Sequence, residues 1–162
     1  MAGLLRCGEL PQFGYSYVAY NPTLQVRASL REVDVSPKAA REVCEAIKGL
    51  NLDKARALLQ DVISFKKAIP YRRYKKKVPH RRQLNSFYAG RFPVKAAKLV
   101  LKLLDNLEAN ADFKGLDVTR LKIIHAAAYP GRKIKKYFPR AFGRSSSNFK
   151  VLVHIEVVGE EE

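Results

Sequence analysis

The sequence contains only two cysteines, Cys7 and Cys44, and no tryptophan. Two thiols supply neither a disulfide framework nor the ligand set of a four-coordinate zinc site. No apolar run approaches the ~20 residues that a membrane-spanning helix requires, and the N-terminal residues include too few apolar side chains for a secretory signal. These absences argue against a disulfide-rich secreted protein and a helical membrane protein, and they favour a reducing compartment.

Motifs for catalysis or metal binding are also missing. His80, His125 and His154 each lack a histidine, cysteine or carboxylate three or four residues away that would complete a metal-binding pair. There is no Gly-x-x-x-x-Gly-Lys phosphate loop, and the serines at 145–147 have no base nearby in sequence. We therefore predict a non-enzymatic protein without cofactor or metal; an RNA-processing enzyme that uses His125 or His154 is the catalytic alternative.

What the sequence has in excess is positive charge. Its 31 Lys and Arg residues outnumber its 15 Asp and Glu residues, which gives a formal net charge of +16. Charge of this size disfavours a compact free protein through self-repulsion, and a polyanionic partner would offset that repulsion. The composition therefore predicts a polyanion as partner, with nucleic acid favoured and an acidic membrane surface as the second choice.

Three segments alternate apolar and polar residues with the period of two that is typical of half-buried strands. They are residues 24–33, 118–126 and 149–158. We predict that the last two form the arms of a long hairpin and that all three pair in a small antiparallel sheet. In the first segment, the residues predicted to face inward are Leu24, Val26, Ala28 and Leu30, and those predicted to face outward are Gln25, Arg27, Ser29 and Arg31.

Two helices are predicted after the first strand. Ser36 and Pro37 suit the N-cap and the first helical position, because serine accepts a hydrogen bond from an early amide and proline needs no donor there. Gly49 suits the end of this helix. Asn51 or Asp53 is predicted to cap the second helix. Apolar side chains recur with helical spacing through both segments.

A third helix is predicted from Pro93 to about residue 110. Asp105 and Glu108 in this helix are expected to form a polar face rather than an acid–base pair. The order of strand, three helices and hairpin predicts an α+β fold, in which a small antiparallel three-stranded sheet packs on three helices. The residues of the third helix predicted to face inward are Val94, Ala97, Val100, Leu101, Leu104 and Leu107.

Positive charge is concentrated in two segments that contain no acid, residues 70–92 and 129–148. Aromatic residues lie among the cations in both segments. An extended basic hairpin of this kind cannot bury itself in a small core, and it suits contact with phosphates and bases; a solvated charged surface is the alternative interpretation. The residues predicted to bind nucleic acid are Arg72, Arg73, Lys75, Lys76, Lys77, Arg81, Arg82, Arg132, Lys133, Lys135, Lys136, Arg140 and Arg144.

The chain is predicted to form one globular domain, residues 23–158. This domain includes the basic segment 70–92 as an insertion and the extended hairpin 118–158. Residues 1–22 lack periodicity and are predicted to form an irregular arm. Residues 159–162 are predicted to be a frayed acidic tail.

Several stretches together resemble one known family. They are VSPKAAREV at 35–43 with IKG at 47–49, KARALL at 54–59, PVKAA at 93–97, NLEANA at 106–111 with GLD at 115–117, and RAFGR at 140–144. In this order they resemble the ribosomal protein L twenty-two family, called L seventeen in eukaryotes, over about residues 21–158. Segment 70–92 resembles the insertion of archaeal and eukaryotic members, and the short end after the last strand favours an archaeal source.

The resemblance implies a cytoplasmic protein of the large ribosomal subunit. In that family the globular part lies near the polypeptide exit tunnel, and the hairpin extends through ribosomal RNA to line the tunnel. The implied partners are large-subunit ribosomal RNA, neighbouring large-subunit proteins and the nascent polypeptide, with no membrane and no small-molecule substrate. The tip would fall at about residues 132–144, and its implied tunnel-lining residues are Lys135, Lys136, Tyr137, Phe138 and Arg140.

Composition alone also fits an architectural DNA-binding protein that lays the hairpin in a groove of duplex DNA. Such a protein would bend DNA and would bind any duplex with comparable affinity. A pattern typical of an obligate dimer would favour this alternative, and the sequence shows none.

Overall fold

The described part of the chain, residues 14–84 and 87–161 of a computed structural model, contains three helices and a three-stranded antiparallel sheet. This arrangement confirms the predicted α+β class. Two short ladders of paired strands lie outside the main sheet. The elements are β1 (Gln25–Val33), α1 (Pro37–Ile47), α2 (Leu52–Ile63), β2 (Ile69–Pro70), β3 (Gly90–Arg91), α3 (Val94–Lys114), a 3₁₀ turn (Val118–Arg120), β4 (Leu121–Ile134), β5 (Tyr137–Pro139), β6 (Ser145–Ser147) and β7 (Lys150–Glu161).

The main sheet has the strand order β1-β7-β4, so the last strand in the sequence lies in the middle. Both of its ladders are antiparallel. Residues 159–161 do not form the frayed tail predicted from the sequence, because they continue β7. Gly159 pairs with Val26 on one side and with Ile123 on the other. A central position supplies backbone partners on both sides, which explains why the strand extends through these acidic residues.

The helices pack against this sheet and against each other. Helix α1 lies on β4, α3 lies on β1, and α2 packs on α3. Their apolar faces form a continuous core in which the largest side chains are fully buried. Burial of that apolar surface is the main stabilising contribution, at ~25 cal/mol per Å² removed from water. The largest buried apolar residues include Ile47, Leu52, Leu59, Leu103, Leu104, Leu107, Leu121, Ile123 and Ile155.

The ends of α1 follow the sequence signals, with one difference. Ser36 is the N-cap and Pro37 takes the first helical position, but the Ser36 side chain makes no capping hydrogen bond. Gly49 follows the helix with a φ of 82°, a conformation that glycine adopts without strain. Its N–H donates to the carbonyl of Ile123 over 2.7 Å, which ties the end of α1 to β4.

Helix α3 is longer than predicted, and its buried face is broader. It continues to Lys114, and Gly115 ends it with a φ of 73°. Ala96 and Leu103, which were not predicted to face inward, are also buried, whereas Val94 and Leu101 are only half-buried. The buried face is broader because α3 packs against both β1 and α2. The other four residues predicted to face inward are buried as predicted: Ala97, Val100, Leu104 and Leu107.

The expected polar face of α3 has a structural role. Asp105 and Glu108 both pair with the guanidinium of Arg56 in α2, and the distance from Arg56 Nη2 to Asp105 Oδ1 is 2.8 Å. The hydrogen bond that Arg56 donates to Glu108 is the main reason that the pKa of Arg56 is raised. These two carboxylates therefore join α2 to α3 and do not form an acid–base pair.

Residues 14–22, the described part of the predicted arm, contact β1 and β7. The Arg27 guanidinium lies 4.5 Å from the ring centre of Tyr15 and 4.6 Å from that of Tyr20. Ser16 donates its N–H over 3.0 Å and its hydroxyl over 2.8 Å to the carboxylate of Glu156, a buried residue of β7. Residues 1–13 of the predicted arm lie outside the described residues.

Contacts from this arm change which residues of β1 are covered. Gln25 was predicted to face outward, but it is 5% exposed. Its side-chain oxygen accepts from the Asn21 N–H over 2.9 Å, and its side-chain nitrogen donates to Glu160 over 3.2 Å. Leu24 was predicted to face inward, but it precedes the strand and is exposed. The alternation within β1 contains no information about the contacts of Gln25, because its partners Asn21 and Glu160 lie outside that strand.

Candidate nucleic-acid interface

The basic hairpin extends beyond the three-stranded sheet. Strand β1 pairs with β7 only as far as Val153, whereas β4 and β7 remain paired out to Ile134 and Lys150. Strands β5 and β6 then continue the hairpin toward its end. At ~3.3 Å per residue, the projecting part reaches on the order of 30 Å past the sheet. This length gives the hairpin two faces with no helix against them.

All six hairpin cations that were predicted to bind nucleic acid are exposed: Arg132, Lys133, Lys135, Lys136, Arg140 and Arg144. Within residues 14–84 and 87–161, none of them forms a salt bridge with an acid. The acids of the described chain pair instead with cations of the helices, β1 and the base of the hairpin. The segregation of charge predicted from the sequence therefore exists in three dimensions.

The end of the hairpin is a narrow turn between β5 and β6. The Arg140 N–H donates to the Arg144 carbonyl over 2.8 Å, and the Arg140 guanidinium donates to the Ser146 hydroxyl over 3.1 Å. Phe142 has a φ of 57° and is 98% exposed. Positive φ is uncommon in a bulky residue. Phe142 lies within the tip range implied by the resemblance but was not among the implied tunnel-lining residues, although it lies in the turn between β5 and β6.

Other aromatic side chains line the hairpin at intervals. Tyr137 and Phe138 in β5 are both more than half exposed, and Tyr129 in β4 is also exposed. The ring of Tyr137 contacts Phe149 edge-to-face, with 5.6 Å between ring centres. Exposed aromatic faces among cations provide stacking surfaces next to charges that bind phosphate.

The base of the hairpin is tied to the globular part through Asp34. Its carboxylate accepts from Lys150 at the start of β7 and from Lys95 in α3, both over 2.8 Å. These two hydrogen bonds, that of Lys150 first, lower the pKa of Asp34. A single acid in the connection between β1 and α1 therefore pairs with Lys150 at the start of β7, whereas the six hairpin cations named above form no salt bridge within the described residues.

The second basic segment is a loop closed at its base by β2 and β3. The Tyr71 N–H donates to the Ala89 carbonyl over 2.9 Å, and the Gly90 N–H donates to the Pro79 carbonyl over 3.1 Å. Its predicted nucleic-acid ligands are all exposed. They are Arg72, Arg73, Lys75, Lys76, Lys77, Arg81 and Arg82.

Glu42 in α1 fixes the start of this loop. Its buried carboxylate accepts hydrogen bonds from the backbone N–H groups of Arg72, Arg73 and Tyr74, at 3.1, 3.1 and 3.2 Å. Arg41 lies 3.5 Å from the same carboxylate. Three amides bound by one carboxylate form a charge-assisted network, so the backbone of the loop is held while its cationic side chains extend into solvent.

The structure brings this loop close to the base of the hairpin. A shallow cavity of about 370 Å³ is lined by Arg73 and Tyr74 of the loop and by residues 126–129 of β4. Arg41 of α1 lines the same cavity. The loop therefore reaches the start of the basic hairpin segment at Tyr129, although α3 separates the two segments in the sequence. Sequence reasoning identified both segments but gave no signal for their proximity.

The two strand histidines do not face each other across the ladder. His125 pairs with Val158, and His154 pairs with Tyr129. His125 Nε2 lies 3.3 Å from the Ser16 hydroxyl, and burial lowers the pKa of His125. Since the Ser16 hydroxyl donates to Glu156, the order of contacts is histidine, serine, carboxylate. An activated serine needs a histidine that a third group holds in place. Here the carboxylate of Glu156 binds the serine instead, so this cluster attaches the arm to β4 and β7.

Residues 14–84 and 87–161 show no membrane span and no metal-binding cluster. No helix in these residues has the length and apolar character needed to cross a membrane. The same part of the chain contains no group of three or more histidine, cysteine, aspartate or glutamate residues that could hold a metal ion. Cys44 is a buried core residue of α1, and burial raises the pKa of its thiol to about 12.

Comparison with known proteins supports the family suggested by the sequence. The chain is 50% identical over 151 residues to the large ribosomal subunit protein uL22 of Archaeoglobus fulgidus, which covers 93% of this chain and 97% of the relative. A protein of the same name from Cenarchaeum symbiosum is 50% identical over 149 residues, which cover 92% and 97%. That from Methanopyrus kandleri is 52% identical over 136 residues, which cover 83% and 86%.

These relatives are archaeal, in agreement with the predicted archaeal type. The profile of the family described as ribosomal protein L22p/L17e matches residues 28–160, which include every helix and the whole hairpin. With relatives at this identity over most of its length, the chain belongs to the ribosomal protein L22p/L17e family.

Proposed function

We propose that this chain is a structural constituent of the large ribosomal subunit, in the cytoplasm, where it binds ribosomal RNA and neighbouring ribosomal proteins. Its relatives carry the name large ribosomal subunit protein. The role is structural rather than catalytic, since the family is one of ribosomal proteins. The observation that carries the RNA-binding proposal is the set of exposed hairpin and loop cations that have no acidic partner in the described chain.

Two kinds of contact support RNA as the polyanion. Lysine and arginine side chains that neutralise phosphates release counterions, which gives favourable binding that weakens as salt rises. Arginine adds bidentate geometry for phosphate and stacking on bases. Folded RNA also offers unstacked bases in loops and bulges, and the exposed rings of Tyr137, Phe138 and Phe142 can stack on them. This combination favours structured RNA over a uniform duplex.

The outer part of the hairpin is proposed to line the polypeptide exit tunnel. Support comes from its projection beyond the sheet and from its end between β5 and β6, where most residues are exposed. The side chains proposed to face RNA or the nascent polypeptide there are Lys135, Lys136, Tyr137, Phe138 and Arg140, to which the exposed Phe142 is added.

The proposed division of labour along the chain follows from the same observations. Residues 23–158 would provide the globular part, from which the loop 70–92 and the hairpin 118–158 extend as RNA-binding parts. The arm 1–22 packs on β1 and β7 where it is described. The cavity that the loop shares with the base of the hairpin supports this organisation.

The test replaces Lys133, Lys135 and Lys136 together with glutamate in the tagged chain. The expected result is loss of the variant from assembled large subunits, because three positive charges on the hairpin proposed to face RNA become negative. The matched control makes the same change at three exposed lysines on the helices, Lys54, Lys98 and Lys102. Equal incorporation of the hairpin variant and the wild type would overturn the proposal; recovery of the wild type on DNA instead would favour the architectural alternative.

A further inference from the structure

A second cavity lies between the start of α1 and the basic loop. Its volume is about 530 Å³, within the range of ~300–1,000 Å³ that is usual for small-molecule sites. Its lining comprises residues from three parts of the chain: the first turn of α1, the loop at 71–78, and β3. The general proposal of RNA contact through exposed cations does not require such a concave site.

The charge of this cavity has one sign. Five cations line it, and no acid does; the cations are Lys38, Arg73, Lys75, Lys76 and Arg91. Within residues 14–84 and 87–161, none of the five forms a salt bridge. Concave surfaces lined by one sign of charge concentrate the field, so an anion is the ligand that this cavity suits.

The backbone N–H groups at the start of α1 also suit an anion. Ser36 is the N-cap of α1 and makes no side-chain capping bond, and Pro37 has no N–H. The next two residues, Lys38 and Ala39, line the cavity. Because the first amides of a helix have no partner within the helix, the positive end of α1 adds donors to the five cationic side chains.

Tyr71 adds a hydroxyl to the residues that line this cavity. The residue as a whole is 5% exposed, and its side chain lines the cavity. Its hydroxyl makes no hydrogen bond with any residue in 14–84 or 87–161. A phenolic hydroxyl can donate and accept a hydrogen bond, so a ligand in the cavity can supply its partner. Burial raises the pKa of Tyr71 to about 12, so the hydroxyl remains a proton donor.

Tyr74 in the cavity lining favours a nucleotide over a simple anion as the ligand. Tyr74 is half-buried in the cavity lining, with Lys38 Nζ 5.6 Å and Arg73 Cζ 5.9 Å from its ring centre. An aromatic ring with adjacent cations is a surface on which bases stack. The Tyr74 N–H is bound by the Glu42 carboxylate, so the ring extends from a fixed backbone position.

We infer that this cavity binds a single nucleotide extruded from ribosomal RNA, with its phosphate at the start of α1 among the five cations and its base against Tyr74. The inference rests on the proposed RNA-binding function and adds to it a specific subsite. The Tyr71 hydroxyl donates a hydrogen bond to the nucleotide. The hairpin and the outer face of the loop then bind the flanking RNA backbone.

The test uses the ¹³C,¹⁵N-labelled full chain, titrated with inorganic phosphate and with each of the four nucleoside 5′-monophosphates. The expected result is that both kinds of ligand shift the amides of Lys38 and Ala39, whereas only the nucleotides shift the ring signals of Tyr74. Tyr74→Leu should weaken binding of the preferred nucleotide about tenfold and leave phosphate binding unchanged. Tyr74→Phe should retain nucleotide binding, since it keeps the ring.

The matched control is Tyr88→Leu, which removes an exposed aromatic from the same basic segment outside the cavity lining. Equal affinity of phosphate and nucleotides with no effect of Tyr74→Leu would overturn the nucleotide subsite, as would shifts confined to other surfaces. The same samples are titrated with large-subunit RNA. RNA binding that persists while the nucleotide result fails rejects this subsite alone, whereas loss of both rejects the proposed function as well.

Discussion

Gly131 in β4 lies directly against the ring of His154 in β7. A Cβ atom on Gly131 would be 2.6 Å from His154 Nε2 and 3.0 Å from its Cε1. The ring cannot easily move away, because its Nδ1 accepts a hydrogen bond from the Glu32 N–H over 3.1 Å. This contact coincides with the irregular pairing between Pro130 and Lys133 where the hairpin leaves the sheet. The absence of a side chain at residue 131 therefore leaves room for the His154 ring where the pairing of the two strands is irregular.

Gly131→Ala should destabilise the protein by about 1–3 kcal/mol, the usual cost of overpacking. The added methyl group must displace the His154 ring and break its bond to the Glu32 N–H. Urea unfolding of the purified chain measures the loss. Gly14→Ala is the control, since a Cβ there meets no atom within 4 Å; equal stability of the two variants would mean that the strands separate freely at residue 131.

Glu42→Ala should destabilise the protein by about 2–4 kcal/mol, because three loop amides lose a charged acceptor. Hydrogen exchange at Arg72, Arg73 and Tyr74 should accelerate at the same time. Glu45→Ala changes an exposed acid of the same helix and should leave both quantities nearly unchanged. Unaltered exchange at the three amides would show that the loop is held by its side chains.

Leu103→Ala should cost about 2–5 kcal/mol, as expected for a fully buried leucine. Leu101→Ala should cost clearly less, because Leu101 is only half-buried. Thermal or urea unfolding of the two variants compares the two positions directly. The opposite order would mean that α3 is rotated toward the face that the sequence pattern predicts.

The stability of the protein should fall as the pH drops below about 6.5, in part through His125. Burial, and to a smaller extent Lys48, lowers the pKa of His125, while Glu156 acts in the opposite direction. Because the unfolded chain then takes up a proton first, this contribution is present above the unfolded pKa of about 6.5 and is lost as the pH falls through the folded pKa. His125→Gln should flatten the pH dependence of the urea midpoint; parallel curves for the two proteins would contradict the shift.

The main elements follow from local sequence signals. Alternation at residues 24–33 and 149–158 and the Ser36-Pro37 helix start depend on neighbours in the chain, so the sequence places them within a few residues. The predictions were wrong where tertiary contacts determine the end of a strand or the burial of a side chain. The acids at 160 and 161 extend β7 because β1 and β4 pair on both sides, and Leu103 is buried because α2 adds a second surface against α3.

The basic segments of the candidate interface were predictable because acids are absent from them over long stretches. The acids that hold these segments in place were not predictable. Glu42 lies 30 residues before the first loop amide that it binds, and Asp34 binds Lys95 and Lys150 from other elements. In the sequence both acids resemble ordinary helix and turn carboxylates. The cavity beside Tyr71 likewise exists only after the loop folds back on α1.

The central claim is that the exposed cations bind ribosomal RNA within the large subunit. The most direct measurement is the sedimentation of the tagged full chain in a cell lysate after magnesium is withdrawn and salt is raised. The account predicts that the chain stays with the large subunit and resists the salt wash. Release of the chain into free or DNA-bound fractions would contradict it.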